Sequence, residues 1–172
     1  MKLFKPATST SGIWNLSKTL LQTAVFWLTF LYLLPMGIVR LQSMLDWGGF
    51  APQPEVGWTC FVMFSMLGLY SGYTMSKQGK GTPLPTDCPN ELVIAGPYRF
   101  VRNPMAVAGI GQGISVGIIL GSFLVILYAG IGGVLWHVLV RPVEEKDLAA
   151  RFGEAYEAYR RKTRCWLPKL WL

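Results

Sequence analysis

The chain alternates long stretches without charge with short segments that hold its charged residues. Residues 19–39 and 56–76 are charge-free over 21 residues each, which is enough for a helix to cross the hydrocarbon core of a bilayer. Residues 103–140 are charge-free over 38 residues, about twice that length as a helix. This third stretch must therefore fold back on itself.

The Gly121-Ser122 pair near the middle of the third stretch predicts a tight hairpin, and a kink at residues 130–133 remains the alternative. The pattern thus indicates an all-α polytopic membrane protein that forms a single domain over residues 1–172. Its four transmembrane helices are predicted near residues 20–39, 56–76, 105–121 and 123–140.

Two further segments have patterns of their own. After Arg141-Pro142, residues 143–162 predict a cytoplasmic amphipathic helix, followed by a tail to residue 172. Residues 77–104 form a long loop rich in Gly and Pro, and loops of that length are usually functional or disordered. The apolar stripe of the helix consists of Leu148, Phe152, Ala155, Tyr156 and Tyr159.

The composition supports a membrane protein. Hydrophobic residues make up 52% of the chain and charged residues 15%, against about 25% charged in an average soluble domain. The net charge of +7 would favour nucleic-acid binding in a soluble protein. Here, however, all basic residues except Arg40 lie in the N-terminal segment, the central loop or the residues after the fourth span. The positive-inside rule therefore predicts cytoplasmic termini, a cytoplasmic central loop and no nucleic-acid partner.

Small and polar residues within the spans predict contacts between helices. Gly109, Gly113, Gly117 and Gly121 recur every fourth residue, which lets a neighbouring helix approach closely. Gln112 at membrane depth needs a polar partner. The three cysteines, Cys60, Cys88 and Cys165, are unevenly spaced without a CxxC pair or a histidine cluster, which predicts free thiols and no metal site.

Polar residues concentrate in residues 92–105, before the third span, and in residues 141–145, after the fourth. Because spans three and four form a hairpin, both segments are expected to emerge side by side at the cytoplasmic face. They would bring together a Gly-Pro turn, arginines, an Asn and two carboxylates. The alternative is that the arginines only anchor helices at the lipid head groups while the acids cap a helix.

These segments carry a resemblance to a known family. The run Gly-Pro-Tyr-Arg-Phe-Val-Arg-Asn-Pro-Met from Gly96, then Glu144-Glu145, then the pattern around Phe152-Gly153-Glu154 and Trp166-Leu167-Pro168 resembles the isoprenylcysteine carboxyl methyltransferase and phospholipid methyltransferase superfamily. The resemblance covers roughly residues 77–168. It implies a small integral membrane enzyme that binds S-adenosylmethionine at its cytosolic face.

The resemblance also implies roles for residues. Glu144 matches an acidic residue at the substrate and active centre, and Glu145 matches an acidic partner of the cofactor. The family often has His in place of Asn103, usually Tyr in place of Ala106, and in its prenylcysteine branch Arg in place of Val140. The other positions matching cofactor-binding residues are Asn90, Leu92, Val93, Tyr98, Asn103, Pro104, Met105 and Ala106.

The chemistry of these residues suits methyl transfer, which needs alignment more than a strong base. We expect Glu144 or Glu145 to hold the cofactor's ammonium or ribose and to accept a proton from an amine. Backbone groups at Gly96, together with Tyr98, would cradle the adenosine, and Arg102 or Arg141 would pair with a carboxylate.

The predicted protein is an integral membrane methyltransferase that uses S-adenosylmethionine and acts on a lipid or hydrophobic small molecule bearing a carboxylate or amine. The main alternative is a non-catalytic membrane scaffold or lipid-binding protein. A relative of membrane sterol reductases would need more spans than this chain has. His137, the only histidine, is expected either to bond a backbone carbonyl or to contact substrate.

Overall fold

A computed structural model describes residues 12–80 and 88–168. The chain is 80% helical, and the described residues contain no β-strand, as the all-α prediction requires. Parts of the predicted N-terminal segment, central loop and C-terminal tail, at residues 1–11, 81–87 and 169–172, lie outside the described residues.

The helices follow one another with short connections. A first continuous helix consists of α1, a π-helical segment and α2, and a last one consists of α5, a second π-helical segment and α6. Between them lie α3, a short 3₁₀ helix and α4. The bounds are α1 Gly12–Phe26, π segment Trp27–Leu33, α2 Leu34–Met44, α3 Pro54–Gly79, 3₁₀ helix Gly96–Arg99, α4 Pro104–Leu120, α5 Phe123–Leu135, π segment Trp136–Val140 and α6 Arg141–Lys162.

The predicted hairpin between α4 and α5 is present at Gly121-Ser122. Gly121 adopts a φ of 64°, a left-handed conformation that glycine takes without a Cβ penalty. The Ser122 hydroxyl accepts a hydrogen bond from the Val125 amide at 3.2 Å and so caps α5. The alternative kink at residues 130–133 is wrong, because α5 continues through them.

Small residues let α4 pack closely between α3 and α5. A Cβ on Gly117 would lie 2.5 Å from Ile126 Cγ1, and one on Gly113 would lie 2.8 Å from the Ala129 Cβ, so α5 occupies this face. Gly109 has no atom within 4 Å of the corresponding position. The predicted glycine face therefore makes close contact at Gly113 and Gly117 and not at Gly109.

Two pairs of polar side chains link helices inside the bundle. The Gln112 side chain donates a hydrogen bond to the Ser65 hydroxyl of α3 at 2.9 Å, which confirms that this glutamine is paired. At the end with the α4–α5 turn, the Ser122 hydroxyl donates to the Gln42 side-chain oxygen of α2. These bonds fix α4 against α3 and the turn against α2, and they pair polar groups that would be costly to bury alone.

Two continuous helices are long and apolar enough to cross a membrane, namely Leu16–Met44 and Phe123–Lys162. Within the most apolar 18-residue stretch of each helix, only 6% of the first and 11% of the second is buried in the protein. A core helix of a water-soluble protein would be mostly buried, so the exposed apolar surface indicates contact with lipid. The third apolar helix, Pro104–Leu120, has 17 residues, and α3 is long but more polar.

The C-terminal helix Arg141–Lys162 begins two residues before the predicted one and is interrupted at Gly153, where φ is 52° and ψ is −126°. This break shifts the helical phase of the residues after it. Tyr156 is buried as the predicted apolar stripe requires, but Ala155 of that stripe is exposed, and the charged Glu145 is buried. The single apolar stripe over residues 148–159 is therefore not observed.

Candidate functional site

The segment before α4 and the start of α6 lie side by side, as the hairpin predicts. The Arg102 guanidinium donates to a Glu145 carboxylate oxygen at 2.6 Å and to the Thr163 carbonyl at 2.6 Å. The Arg102 amide also donates to the Arg164 carbonyl at 2.9 Å. Arg102 thus joins three parts of the chain, and the sequence pattern did not reveal the third, the segment after α6.

Glu145 lies among three arginines. Its carboxylate is 2.6 Å from Arg102, 3.9 Å from Arg141 and 3.8 Å from Arg160, and its side chain is only 10% exposed. The same carboxylate oxygen faces Arg102 and Arg141. These arginines balance the negative charge of the buried carboxylate. The ion pairs join α6 to the rest of the site.

A pocket opens between the segment 88–93, the 3₁₀ helix and one side of α6. Its volume is about 70 Å³, below the roughly 300 Å³ at which small-molecule pockets begin, so the pocket as it stands accommodates only part of a nucleoside-sized ligand. The walls combine tyrosines, carboxylates and apolar side chains. The lining residues are Met75, Cys88, Pro89, Glu91, Leu92, Val93, Tyr98, Arg102, Asn103, Glu144, Glu145, Asp147, Leu148, Arg151, Tyr156 and Tyr159.

Glu144 differs from its neighbour in having no partner. It is half-buried in the pocket wall and makes no hydrogen bond or ion pair with another described residue. Burial, followed by the nearby charges of Glu145 and Asp147, raises the pKa of Glu144 to about 7. Near neutral pH the carboxyl group can therefore either bind or release a proton.

Two tyrosine hydroxyls in the pocket wall are also without partners. The Tyr98 and Tyr156 side chains are 5% and 1% exposed, and neither hydroxyl has a hydrogen-bond partner among the described residues. Burial raises the pKa of Tyr98 above its usual range and that of Tyr156 to about 12, so both stay protonated at neutral pH. Since a buried unpaired polar group costs about 1–3 kcal/mol, a hydrogen-bond acceptor that reached these hydroxyls would be favoured there.

Residues of α6 hold the opposite wall in place. The Tyr159 hydroxyl donates to the Tyr98 carbonyl at 2.6 Å. The Arg151 guanidinium donates to the Pro89 carbonyl at 2.7 Å and, through its Nε, to Asp147 at 2.7 Å. Sequence reasoning did not place Asp147, Arg151, Tyr156 or Tyr159 in the site. The two tyrosines belong to the predicted apolar stripe, whose pattern indicated packing only.

The structure places about half of the predicted site residues in the pocket wall. Asn90 is exposed between two lining residues, Pro104 is fully buried at the start of α4, and Met105 packs toward Gly72 of α3. Gly96, Ala106 and Arg141 also lie outside the lining. Those that line the pocket are Leu92, Val93, Tyr98, Arg102, Asn103, Glu144 and Glu145.

His137 lies apart from the pocket. Its Nδ1 accepts a hydrogen bond from the Trp166 indole at 2.8 Å, and the Trp166 ring packs edge-on against Trp136 at 5.4 Å. The expected bond to a backbone carbonyl is therefore wrong, and the histidine instead fixes the residues after α6 against the second π-helical segment. Cys60, Cys88 and Cys165 form no disulfide bonds.

The fold and the site define a helical membrane protein with a pocket of tyrosines and carboxylates where α6 leaves its apolar helix. A family model described as phospholipid methyltransferase matches residues 53–155, which is more than half of the chain. The chain therefore belongs to the phospholipid methyltransferase family, and this membership supports methyltransferase activity. No match was found among curated proteins.

Proposed function

We propose that the protein is an S-adenosylmethionine-dependent membrane methyltransferase whose acceptor is a lipid-like or hydrophobic molecule with an amine or carboxylate. The observation that carries this proposal is the unpaired Glu144 beside the unpartnered hydroxyls of Tyr98 and Tyr156. Family membership supplies the reaction class, and the pocket supplies groups that suit the donor.

The residues present fit such a donor. The ribose and adenine of S-adenosylmethionine offer acceptors to the two tyrosine hydroxyls, and its cationic groups suit the pocket's unpaired carboxylate. When bound, this cofactor supplies a methyl group activated by a sulfonium. Leu92, Val93 and Asn103 would line the adenosine side, while Asn90, which lies between two lining residues, would contribute at its rim.

Glu144 has a pKa suited to one further task. With an amine acceptor, the ammonium must lose a proton before its lone pair can attack, and a carboxylate with a pKa near 7 accepts that proton at neutral pH. A carboxylate acceptor needs no such base. Glu145, Arg102 and Arg141 would position α6, because they are engaged with one another.

We further propose that the chain crosses the membrane four times with its termini on the cytoplasmic side. α3 and α4 are roughly 39 Å and 26 Å long as helices, close to the 30 Å hydrocarbon core. They pack between the two longer apolar helices. The basic segments and the pocket would then face the cytosol, where the donor is available.

Calorimetric titration of the detergent-solubilised protein with S-adenosylhomocysteine tests the donor site. We expect wild type to bind and Tyr98→Phe to bind at least several-fold more weakly, because it loses the unpartnered hydroxyl. Tyr32→Phe, an exposed tyrosine of the first helix, is the matched control. Absence of binding by wild type would contradict the donor assignment.

Transfer of a radiolabelled methyl group into total membrane lipid tests the reaction. Glu144→Gln should abolish transfer to an amine and weaken binding of S-adenosylhomocysteine without abolishing it, because the ligand's ammonium loses the unpaired carboxylate while the tyrosine hydroxyls remain. If wild type binds S-adenosylhomocysteine but transfers no methyl group into any lipid extract, the non-catalytic lipid-binding alternative is favoured. The observation that supports this alternative is Ala106, which stands where the family usually has Tyr.

A further inference from the structure

One wall of the pocket is formed by residues 88–93, which belong to no helix. We call them the wall segment, and five of the six line the pocket. The other lining residues lie in α3, in α6 and between residues 98 and 103. α3 and α6 are held by their own backbone hydrogen bonds, and Arg102 is bonded to the residues after α6. The wall segment can therefore move with the loss of fewer contacts than the other walls.

The wall segment is attached on one side to the end of α3. The Asn90 and Glu91 amides donate hydrogen bonds to the Gly79 carbonyl at 2.7 Å and 3.2 Å. A Cβ on Gly79 would lie 2.6 Å from the Pro89 Cβ and 2.8 Å from Val93 Cγ2, so the segment packs directly on α3. Two backbone bonds and close packing thus fix this side of the segment.

Arg151 attaches the other side of the wall segment to α6. Its Nη1 donates to the Pro89 carbonyl at 2.7 Å, and its Nε donates to Asp147 Oδ2 at 2.7 Å. The Arg151 and Asp147 side chains are only 22% and 21% exposed, so water competes little for these bonds. Asp147 therefore orients the guanidinium, which joins the wall segment to α6.

The size of the pocket requires a wall to move before a donor can enter. Its volume of about 70 Å³ accommodates only part of a nucleoside-sized ligand. Breaking the Arg151–Pro89 bond would release the α6 side of the wall segment, while Gly79 keeps the α3 side attached. Because a hydrogen bond from a charged donor is stronger than one between neutral groups, this bond can determine how often the segment opens.

We propose that Arg151 is a positioning residue that holds the wall segment closed over the donor pocket and so limits how fast donor and demethylated product exchange. It acts through the Pro89 carbonyl and not on the reacting atoms. The closure itself stands on the contacts of Arg151, and only its effect on the donor rests on the proposed function.

Cys88 can report on the closure, because it lines the pocket from the wall segment and is 4% exposed. Alkylation of the full chain in detergent by N-ethylmaleimide, followed by peptide mass mapping, measures its rate without any ligand. Arg151→Met should raise the Cys88 rate roughly tenfold, because the segment loses a charged hydrogen bond. Arg151→Lys should give a smaller rise, since lysine keeps the charge but lacks the fork that bonds Asp147 and Pro89 together.

Cys165 is the internal control, because it is 8% exposed and lies outside the wall segment. Its alkylation rate should not change in Arg151→Met, whereas a general loosening of the protein would raise the rates of both cysteines. Arg161→Met, which removes an exposed arginine from the same helix, should leave both rates at their wild-type values. Similar rises at Cys88 and Cys165, or an unchanged Cys88 rate in Arg151→Met, would overturn the proposal.

Surface plasmon resonance of the immobilised protein with S-adenosylhomocysteine tests the effect on the donor site. We expect association and dissociation both to become several-fold faster in Arg151→Met, with a smaller change in Kd, because the segment must open for entry and for exit. A merely structural defect would instead slow association, and that result or unchanged rates would overturn the role in exchange. If wild type does not bind S-adenosylhomocysteine but Arg151→Met still raises the Cys88 rate, the closure is supported and only the donor assignment is contradicted.

Discussion

Glu144 and Glu145 are adjacent in the chain but have different partners and different surroundings. Glu145 points into a cluster of three arginines, while Glu144 lines the pocket without a partner. Successive helical residues point about 100° apart, so neighbouring side chains enter different surroundings. This separation assigns the structural role to Glu145 and leaves Glu144 available for a ligand or a proton.

Glu144→Gln should change how stability depends on pH. The carboxyl pKa rises from 4.5 in a free side chain to about 7 in the folded protein, so between these values the folded state binds more protons. Its stabilising contribution is complete below pH 4.5 and is lost as the pH rises through about 7. Thermal unfolding in detergent across this window should show a wild-type melting temperature that falls with pH and a flatter profile for Glu144→Gln.

The control for that experiment is Glu154→Gln, which removes an exposed carboxylate from the same helix. We expect it to keep the wild-type slope. A Glu144→Gln slope equal to that of wild type would show that the folded protein does not raise the carboxyl pKa.

Arg102→Met should lower the unfolding free energy by about 3 kcal/mol, because it leaves the buried Glu145 carboxylate without its close partner. Arg160→Gln is the comparison, since Arg160 is 49% exposed and 3.8 Å from the same carboxylate, and it should cost below about 1 kcal/mol. Unfolding by sodium dodecyl sulfate, monitored by circular dichroism, measures both. The double variant Arg102→Met, Glu145→Leu should recover part of the lost stability, because it removes the buried carboxylate as well. Similar losses in Arg102→Met and Arg160→Gln would contradict the central role of Arg102.

At the scale of helices, glycine spacing identified one face of α4 but not which part of it is used. α5 contacts α4 at Gly113 and Gly117, close to the turn that joins them, while Gly109 lies where no neighbour approaches. Close packing of this kind is a main source of helix association in lipid, where apolar burial contributes little.

Gly117→Ala should therefore destabilise the protein by about 1–3 kcal/mol, because the new methyl group would lie 2.5 Å from Ile126 Cγ1 and 2.9 Å from the Ile126 amide nitrogen. Gly109→Ala on the same helix should be neutral or stabilising by up to about 1 kcal/mol, since its Cβ meets open space. The same detergent unfolding assay compares them. Equal effects would mean that α5 does not contact α4 at Gly117.

The helix break at Gly153 has a role at the same scale. It lies between Arg151, which binds the Pro89 carbonyl, and Tyr156, which is buried in the pocket wall. The change of direction lets one helix contribute Glu144 and Asp147 before the break and Tyr156 and Tyr159 after it. In an uninterrupted helix each residue is rotated by the same angle from the one before it. The residues after position 153 would then point in other directions than they do here.

For the whole molecule, the distribution of basic residues predicts the orientation in the membrane. Fusions to the C terminus test it in a bacterial inner membrane: green fluorescent protein should fluoresce, and alkaline phosphatase should be inactive, because the C terminus is expected in the cytoplasm. Fusions in the α4–α5 turn, after Ser122, should give the opposite result. Active phosphatase at the C terminus would contradict the predicted orientation.

Much of this architecture follows from local patterns in the chain. Neighbouring residues encode the length of each apolar stretch and the chain reversal at Gly121-Ser122. That reversal forms the hairpin that brings residues 92–105 beside residues 141–145. The motif from Gly96 to Met105 and the paired glutamates likewise indicated the family that the comparison confirmed.

Other features depend on contacts between distant residues, and local patterns do not encode them. Arg102 bonds to Thr163, the Tyr159 hydroxyl bonds to the Tyr98 carbonyl, and Trp166 bonds to His137. Which of two adjacent glutamates is neutralised, and which stays free with a raised pKa, likewise follows from where three arginines converge. Burial and charge add up through space, and chain order alone does not specify those distances.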